Sequence, residues 1–153
     1  MIRAEDKFDE IVIKSDNIDD VVKVHNLVPE FGETCEKTYF EDRCKNEKHL
    51  IIAAYMWTEP MGYLVGYDRY KDWSFYCWMA WVIPEYRKSW ILTKLMEYQN
   101  NRAKENWYNK IKIKTRNNKR QMLSYLVKNW FNFVEVVKVE NINDNRILLE
   151  KEI

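Results

Sequence analysis

The sequence predicts an α/β domain in which a mixed, mostly antiparallel sheet is flanked by helices, in the order βααβββαβαββ. Strand-like runs, helical spacing and composition together predict it. Leu50 to Tyr55, Pro60 to Tyr67 and Ser74 to Ile83 are short apolar and aromatic runs bounded by turn residues. After Pro84 the period changes: Ile91, Leu92, Leu95, Met96 and Ala103 recur at helical spacing. The composition, 46% hydrophobic and 32% charged over 153 residues, suits one globular domain spanning 1–153.

The elements follow in chain order. Glu10 to Lys14 alternates around Ile11 and Ile13 and reads as the first strand. Asp16 or Asn17 can cap a helix whose apolar face is Ile18, Val21, Val22, His25 and Val28, ended by Pro29 to Gly32. Thr34 to Lys45 reads as a second, more polar helix. Leu50 to Tyr55 and Pro60 to Tyr67 form a hairpin through Met56 to Glu59, and Ser74 to Ile83 is an aromatic strand stopped by Pro84. Past the third helix, Lys110, Lys112 and Lys114 alternate with Ile111, Ile113 and Thr115, giving a strand with a lysine face expected to be solvated. Met122, Leu123, Leu126 and Val127 mark a fourth helix. Phe131 to Val139 and Arg146 to Glu150 close the sheet.

Charge and cysteines narrow the partners. A formal net charge of +1 gives no electrostatic case for nucleic acid. No apolar run approaches the roughly 20 residues that span a bilayer, and Met1 to Glu10 lacks the apolar core of a signal peptide. Cys35, Cys44 and Cys77 have no metal-type spacing, so no metal site is expected and reduced thiols in the cytoplasm are.

The segment from Val82 to Leu95, VIPEYRKSWILTKL, carries the chemistry. It resembles the signature of GNAT-superfamily acetyltransferases, a strand ending V-x-P-E-Y-R, then a loop written Q/R-x-x-G-x-G/A, then a helix. The element order is also similar to that family's. The resemblance continues through Tyr67-Asp68-Arg69-Tyr70, the strand end Lys114 to Asn117, Lys128-Asn129-Trp130-Phe131 in the place of K-x-G-F, and Leu149-Glu150-Lys151. It implies an N-acetyltransferase that moves an acetyl group from acetyl-CoA to a small-molecule or peptide amine by direct transfer, acting as monomer or homodimer. Arg87, Lys88, Ser89, Trp90, Leu92 and Thr93 would then form the pyrophosphate loop and helix start. Val82 and Ile83 would pair with the pantetheine amides, and Asn118 would stand near the family's asparagine, with Asn117 as the other candidate. The physical basis is the anion site that unpaired N–H groups make at a helix N-terminus, approached through glycine.

One departure is serious: the first loop glycine is Trp90, and the G/A position is Leu92. The swap recurs. Trp57, Trp73, Trp107 and Trp130 fall at turns or helix ends where the resemblance expects glycine, and Trp81 where it expects a small residue; Trp78 alone reads as a native aromatic. The chain has 3 glycines and 7 tryptophans. Six more glycines would bring the content to about 6%, near the usual ~7%. A gene that spells glycine as UGA, translated with UGA as tryptophan, gives this pattern.

Tyr125 is the first candidate for the acid that protonates the leaving thiolate, one position from the family's tyrosine. Glu30 is the candidate base, or else a solvated loop carboxylate. His25 reads as a satisfied core histidine. Asp68, Tyr76 and Trp78 are candidates for lining the acceptor cleft. The alternative to an enzyme is a degenerate, non-catalytic GNAT-like binding domain, and residue 90 discriminates the two.

Overall fold

The structure is a computed structural model that describes residues 10–87 and 90–153. Its elements are β1 (Ile11–Ser15), α1 (Ile18–His25), α2 (Thr38–Cys44), β2 (His49–Met56), β3 (Glu59–Tyr67), β4 (Ser74–Val82), α3 (Ile91–Glu105), β5 (Lys110–Arg116), α4 (Arg120–Lys128), β6 (Asn132–Val137) and β7 (Arg146–Glu152). This is the expected order. The seven strands form one sheet, ordered β1-β2-β3-β4-β5-β7-β6. Every pairing is antiparallel except β4 with β5. That parallel pair needs a crossover, and α3 supplies it.

Local chemistry accounts for the boundaries. The Asn17 side chain accepts the Asp20 N–H and caps α1. The second helix starts at Thr38, not Thr34. Asn26 exchanges two hydrogen bonds with the backbone of Cys35, at 2.8 and 3.1 Å, and this holds the chain out of helix. The sixth strand starts at Asn132, because the Phe131 N–H is spent on Leu126 O, closing α4. His25 is buried as expected: its Nδ1 lies 2.6 Å from the Tyr63 hydroxyl and its ring stacks on Phe31 at 3.8 Å. The lysine face of β5 is not solvated. Lys110 pairs with Glu150 at 3.2 Å, Lys112 pairs with Asp72 at 2.6 Å, and Lys114 is half-buried.

A β-bulge sits in the middle of the sheet. Cys77 pairs with Gly66 and Met79 with Val65, which leaves Trp78 as an extra residue on β4. Gly66 is needed there, since a Cβ would fall 2.5 Å from Phe75 Cε1 and 2.8 Å from Tyr76 O. The bulge shifts the alternation of β4. Trp78, which meets Tyr39 and Phe40 of α2, and Trp81, three residues on, therefore both face the α1–α2 side. Trp81 packs edge-on against Phe31 with centroids 4.7 Å apart. It has ordinary strand geometry, so its expected place among the glycine-like positions is corrected.

The other five tryptophans behave differently. Of the eight described non-glycine residues with positive φ, five are Trp57, Trp73, Trp90, Trp107 and Trp130, with φ between 56° and 69°. Their exposure runs from 54% to 82%. Trp107 and Trp130 each follow a helix in a glycine-type ending. The Tyr108 N–H returns to Ala103 O, and the Phe131 N–H to Leu126 O, both at 3.0 Å. Trp57 is the first residue of the two-residue turn between Met56 and Glu59, where glycine dominates when φ is positive. A left-handed backbone costs a residue with a Cβ about 1 kcal/mol. Replacing all five by glycine is expected to raise the melting midpoint by on the order of 10 °C, at 2–4 °C per kcal/mol for a chain this size. Trp78→Gly is expected to lower it. Thermal melts of the variants check this, and a higher midpoint for the tryptophan form would mean that the indoles stabilise the fold.

Candidate functional site

Beyond the bulge β4 parts from β5. Their parallel pairing runs from Ser74 with Lys110 to Cys77 with Ile113 and stops. From Trp78 onward the β5-facing edge of β4 has no β5 residue in register, although β4 continues beside β3 to Val82. Backbone donors and acceptors along such an edge need other partners. The chain then turns through Pro84–Tyr86 toward α3.

Trp90 caps α3 in the left-handed conformation, φ 69° and ψ 1°. The first bond of the helix ladder runs from the Lys94 N–H to Trp90 O at 3.0 Å. The N–H groups of Ile91, Leu92 and Thr93 therefore lie ahead of the ladder. A left-handed residue followed by helical ones turns successive N–H groups into one concavity, a backbone nest suited to an anion. The backbone at 90 thus fits a pyrophosphate, and the residue does not: glycine lets phosphate approach the nest, whereas tryptophan sets a Cβ and an indole beside it. Lys88 and Ser89, expected in this loop, lie outside the described residues. Leu92 is half-buried and packs on the core.

The loop is clamped from the α1–α2 side. Arg87 Nε donates to Val82 O at 2.9 Å, and its guanidinium holds both Glu30 oxygens, the Nη2 bond at 3.0 Å. The Arg87 hydrogen bond holds the Glu30 carboxyl below the usual glutamate range. A carboxylate so engaged is a poor proton acceptor. The structure therefore gives Glu30 a part in anchoring the loop, and brings it to Arg87 and the end of β4, as the sequence did not foresee.

Thr93 and Tyr125 meet, their hydroxyl oxygens 3.2 Å apart across α3 and α4. Burial pushes the Tyr125 phenol up, so it keeps its proton at neutral pH. Val82 and Ile83 are buried at the end of β4. Asn118 is exposed on the turn before α4, its backbone N–H bonded to Asn143 O at 3.0 Å.

On the α2 side of the splay lies a cavity of about 320 Å³. Tyr76 and Trp78, two of the candidates for the acceptor cleft, line it. Asp68 does not: its carboxylate accepts the Tyr108 hydroxyl at 3.1 Å and the Lys71 N–H at 3.2 Å, away from this lining. The sequence reading missed the cavity's charge. Arg43, Arg69, Lys114, Arg116 and Arg146 come from four separate segments, and no local pattern joins all of them. Only Lys114 and Arg116, on the same face of β5, offered a signal.

No protein-family model and no curated protein matches the chain. Solved structures do. An Ard1 structure from Thermoplasma volcanium is 13% identical with a TM-score of 0.78, covering 94% of this chain and 98% of that one. A GNAT family acetyltransferase from Elizabethkingia anophelis with acetyl-CoA bound is 19% identical with a TM-score of 0.72, covering 95% and 99%. The ribosomal-protein-S18-alanine N-acetyltransferase from Escherichia coli is 11% identical with a TM-score of 0.75, covering 93% of each. The chain has the fold of the GNAT acetyltransferases.

The clamp has a titration signature. A carboxyl with a depressed folded pKa contributes stability above its unfolded value, and that stability is lost as pH falls through the folded one. Arg87→Ala is expected to return Glu30 to the ordinary glutamate value of about 4.3. Carbon-detected NMR titration of Glu30 reads this, and an unmoved midpoint would rule out Arg87 as the cause.

Proposed function

We propose that the chain is an N-acetyltransferase that transfers the acetyl group of acetyl-CoA directly to an amine, in the form that carries glycine at position 90. The observation that carries this reading is the left-handed nest at residue 90, opening α3 next to a strand that parts from its parallel neighbour. The backbone is arranged for a diphosphate although the residue is not. Acetyl-CoA supplies the activated thioester. Thr93 and the N–H groups at the start of α3 hold the phosphates, with Arg87, Lys88 and Ser89 beside them. The β5-facing edge of β4 from Trp78 to Val82 and Ile83 meets the pantetheine amides through the backbone groups left to it, the Val82 carbonyl being held by Arg87 and the Ile83 N–H by Met61 O. Asn118 stands at the β5–α4 turn on the way out of the splay.

Tyr125 is the acid. Its raised pKa keeps the phenol protonated, and the Thr93 hydroxyl orients it. Glu30 contributes through Arg87 and is not the base. The three free thiols suit a cytoplasmic protein. No described helix is long and apolar enough to cross a membrane. Likeness to acetyltransferases, some solved with the cofactor bound, supports an enzyme over a non-catalytic domain of the same fold.

The tryptophans at 57, 73, 90, 107 and 130 are glycines in the native polypeptide, because all five hold glycine-type backbones and expose their indoles. The gene decides this: UGA is expected at those five codons and UGG at 78 and 81. UGG at codon 90 would favour the non-catalytic domain.

Two measurements check the activity. Calorimetry is expected to show acetyl-CoA binding to Trp90→Gly at least about 10-fold tighter than to the tryptophan form, a difference of 1.4 kcal/mol. Tight binding unchanged by the substitution would show that the loop tolerates the indole. In the Trp90→Gly background, Tyr125→Phe is expected to lower kcat about 100-fold with little change in KM for acetyl-CoA. An unchanged kcat would remove Tyr125 from the reaction.

A further inference from the structure

The cavity beside the splay holds five cations and no acidic lining residue. None of Arg43, Arg69, Lys114, Arg116 and Arg146 makes an ion pair with a described residue, although the neighbouring Lys110 and Lys112 both do. Aromatic faces hold two of them instead. The Arg43 guanidinium lies 4.7 Å from the Trp78 ring centroid, and that of Arg69 lies 5.0 Å from Tyr76 and 5.5 Å from Tyr70. A stacked guanidinium keeps in-plane N–H donors for other acceptors; one Arg43 Nη1–H reaches the Tyr67 hydroxyl at 3.5 Å and the rest face outward from the ring. The crowding is unfavourable as it stands. Burial lowers the Lys114 pKa, and the charges of Arg69 and Arg146 lower it further, with only Glu135 opposing. The half-buried Lys114 feels the crowding, and an anion entering the cavity relieves it.

We propose that the acceptor is an anionic amine, with a carboxylate or phosphate a few bonds from the nitrogen to be acetylated, and that this cavity binds it. The proposal rests on the acetyltransferase reading and adds the substrate class. The anion sits among the arginines, which match carboxylate and phosphate geometry through paired N–H donors. Trp78 and Lys114, the first residues past the last β4–β5 pair, bring the amine to the mouth of the splay. The same cations favour the neutral amine over the ammonium, because a like charge nearby disfavours protonation. An amine that sheds its proton to water on entry needs no carboxylate base, and the cavity lining contains none. The nitrogen lone pair then forms the bond to the acetyl carbon and the C–S bond breaks. The CoA thiolate takes the Tyr125 proton, the second amine proton leaves to solvent, and solvent reprotonates the Tyr125 phenolate. The products are the N-acetylated anion and free CoA.

Calorimetry without cofactor tests the site. Phosphoethanolamine is the phosphate probe, glutamate the carboxylate probe, and ethanolamine the control without an anion. At least one anionic probe is expected to bind and ethanolamine is not. Arg69→Gln and Arg146→Gln, both exposed side chains, are each expected to weaken that binding at least about 10-fold with unchanged melting. Lys104→Gln, an exposed lysine on α3, is expected to leave it unchanged. Equal binding of ethanolamine, unchanged affinity in the arginine variants, or binding of an oligonucleotide with neither small anion bound would overturn the assignment. Turnover with acetyl-CoA in the Trp90→Gly background separates the two readings. Transfer to ethanolamine in preference to both anionic amines sinks the substrate class and leaves the activity standing. Anion binding with no acetyl transfer to any amine sinks the activity and leaves the anion site.

Discussion

The site depends on one extra residue in β4. Trp78 has no partner of its own on β3, and Gly66 across from Cys77 leaves room for the strand to bend. The added twist carries β4 away from β5 directly after their last shared pair. Three features follow along the chain. A backbone edge without a β5 partner opens from Trp78 to Val82. A cavity forms between the diverging strands. The strand end leads through Pro84–Tyr86 to the start of α3, where the backbone nest lies.

The charges around the cavity show how a fold can hold cations ready for a ligand. Ion pairing would neutralise them in place, as Glu150 and Asp72 do for Lys110 and Lys112. Trp78, Tyr70 and Tyr76 position Arg43 and Arg69 through their ring faces and leave the guanidinium edges to the cavity. The aromatic residues of β4 are therefore more than core. They fix the direction of charges that arrive from separate parts of the chain.

The positive-φ tryptophans divide by what they cost. At 57, 73, 107 and 130 the indole points from a turn or helix end toward solvent, so the sheet and its core form around it. The cost there is backbone strain and exposed apolar surface. At 90 the same backbone makes the nest, and a side chain there stands where an anion must come close. A left-handed tryptophan thus carries a backbone cost at all five positions and stands in the nest at one. Trp81 escapes the pattern because the bulge turns it onto Phe31, where a large ring has a place to pack.

The element order, the first helix cap, the core role of His25 and the glycine-like character of five tryptophans were legible in the sequence, because each depends on residues within a few positions of one another. Period, capping side chains and turn chemistry are local physics. The pairing of Glu30 with Arg87, the contact of Thr93 with Tyr125, the aim of Asp68 toward Tyr108 and the five-cation cavity were not legible. Each joins segments tens of residues apart, and the bulge breaks the strand alternation by which β4 was read. The sequence by itself determined which elements form and where glycine geometry is needed. Only the tertiary structure decided which charges share a cavity and which are spent on each other, because that depends on strand register and side-chain direction, set when the sheet closes.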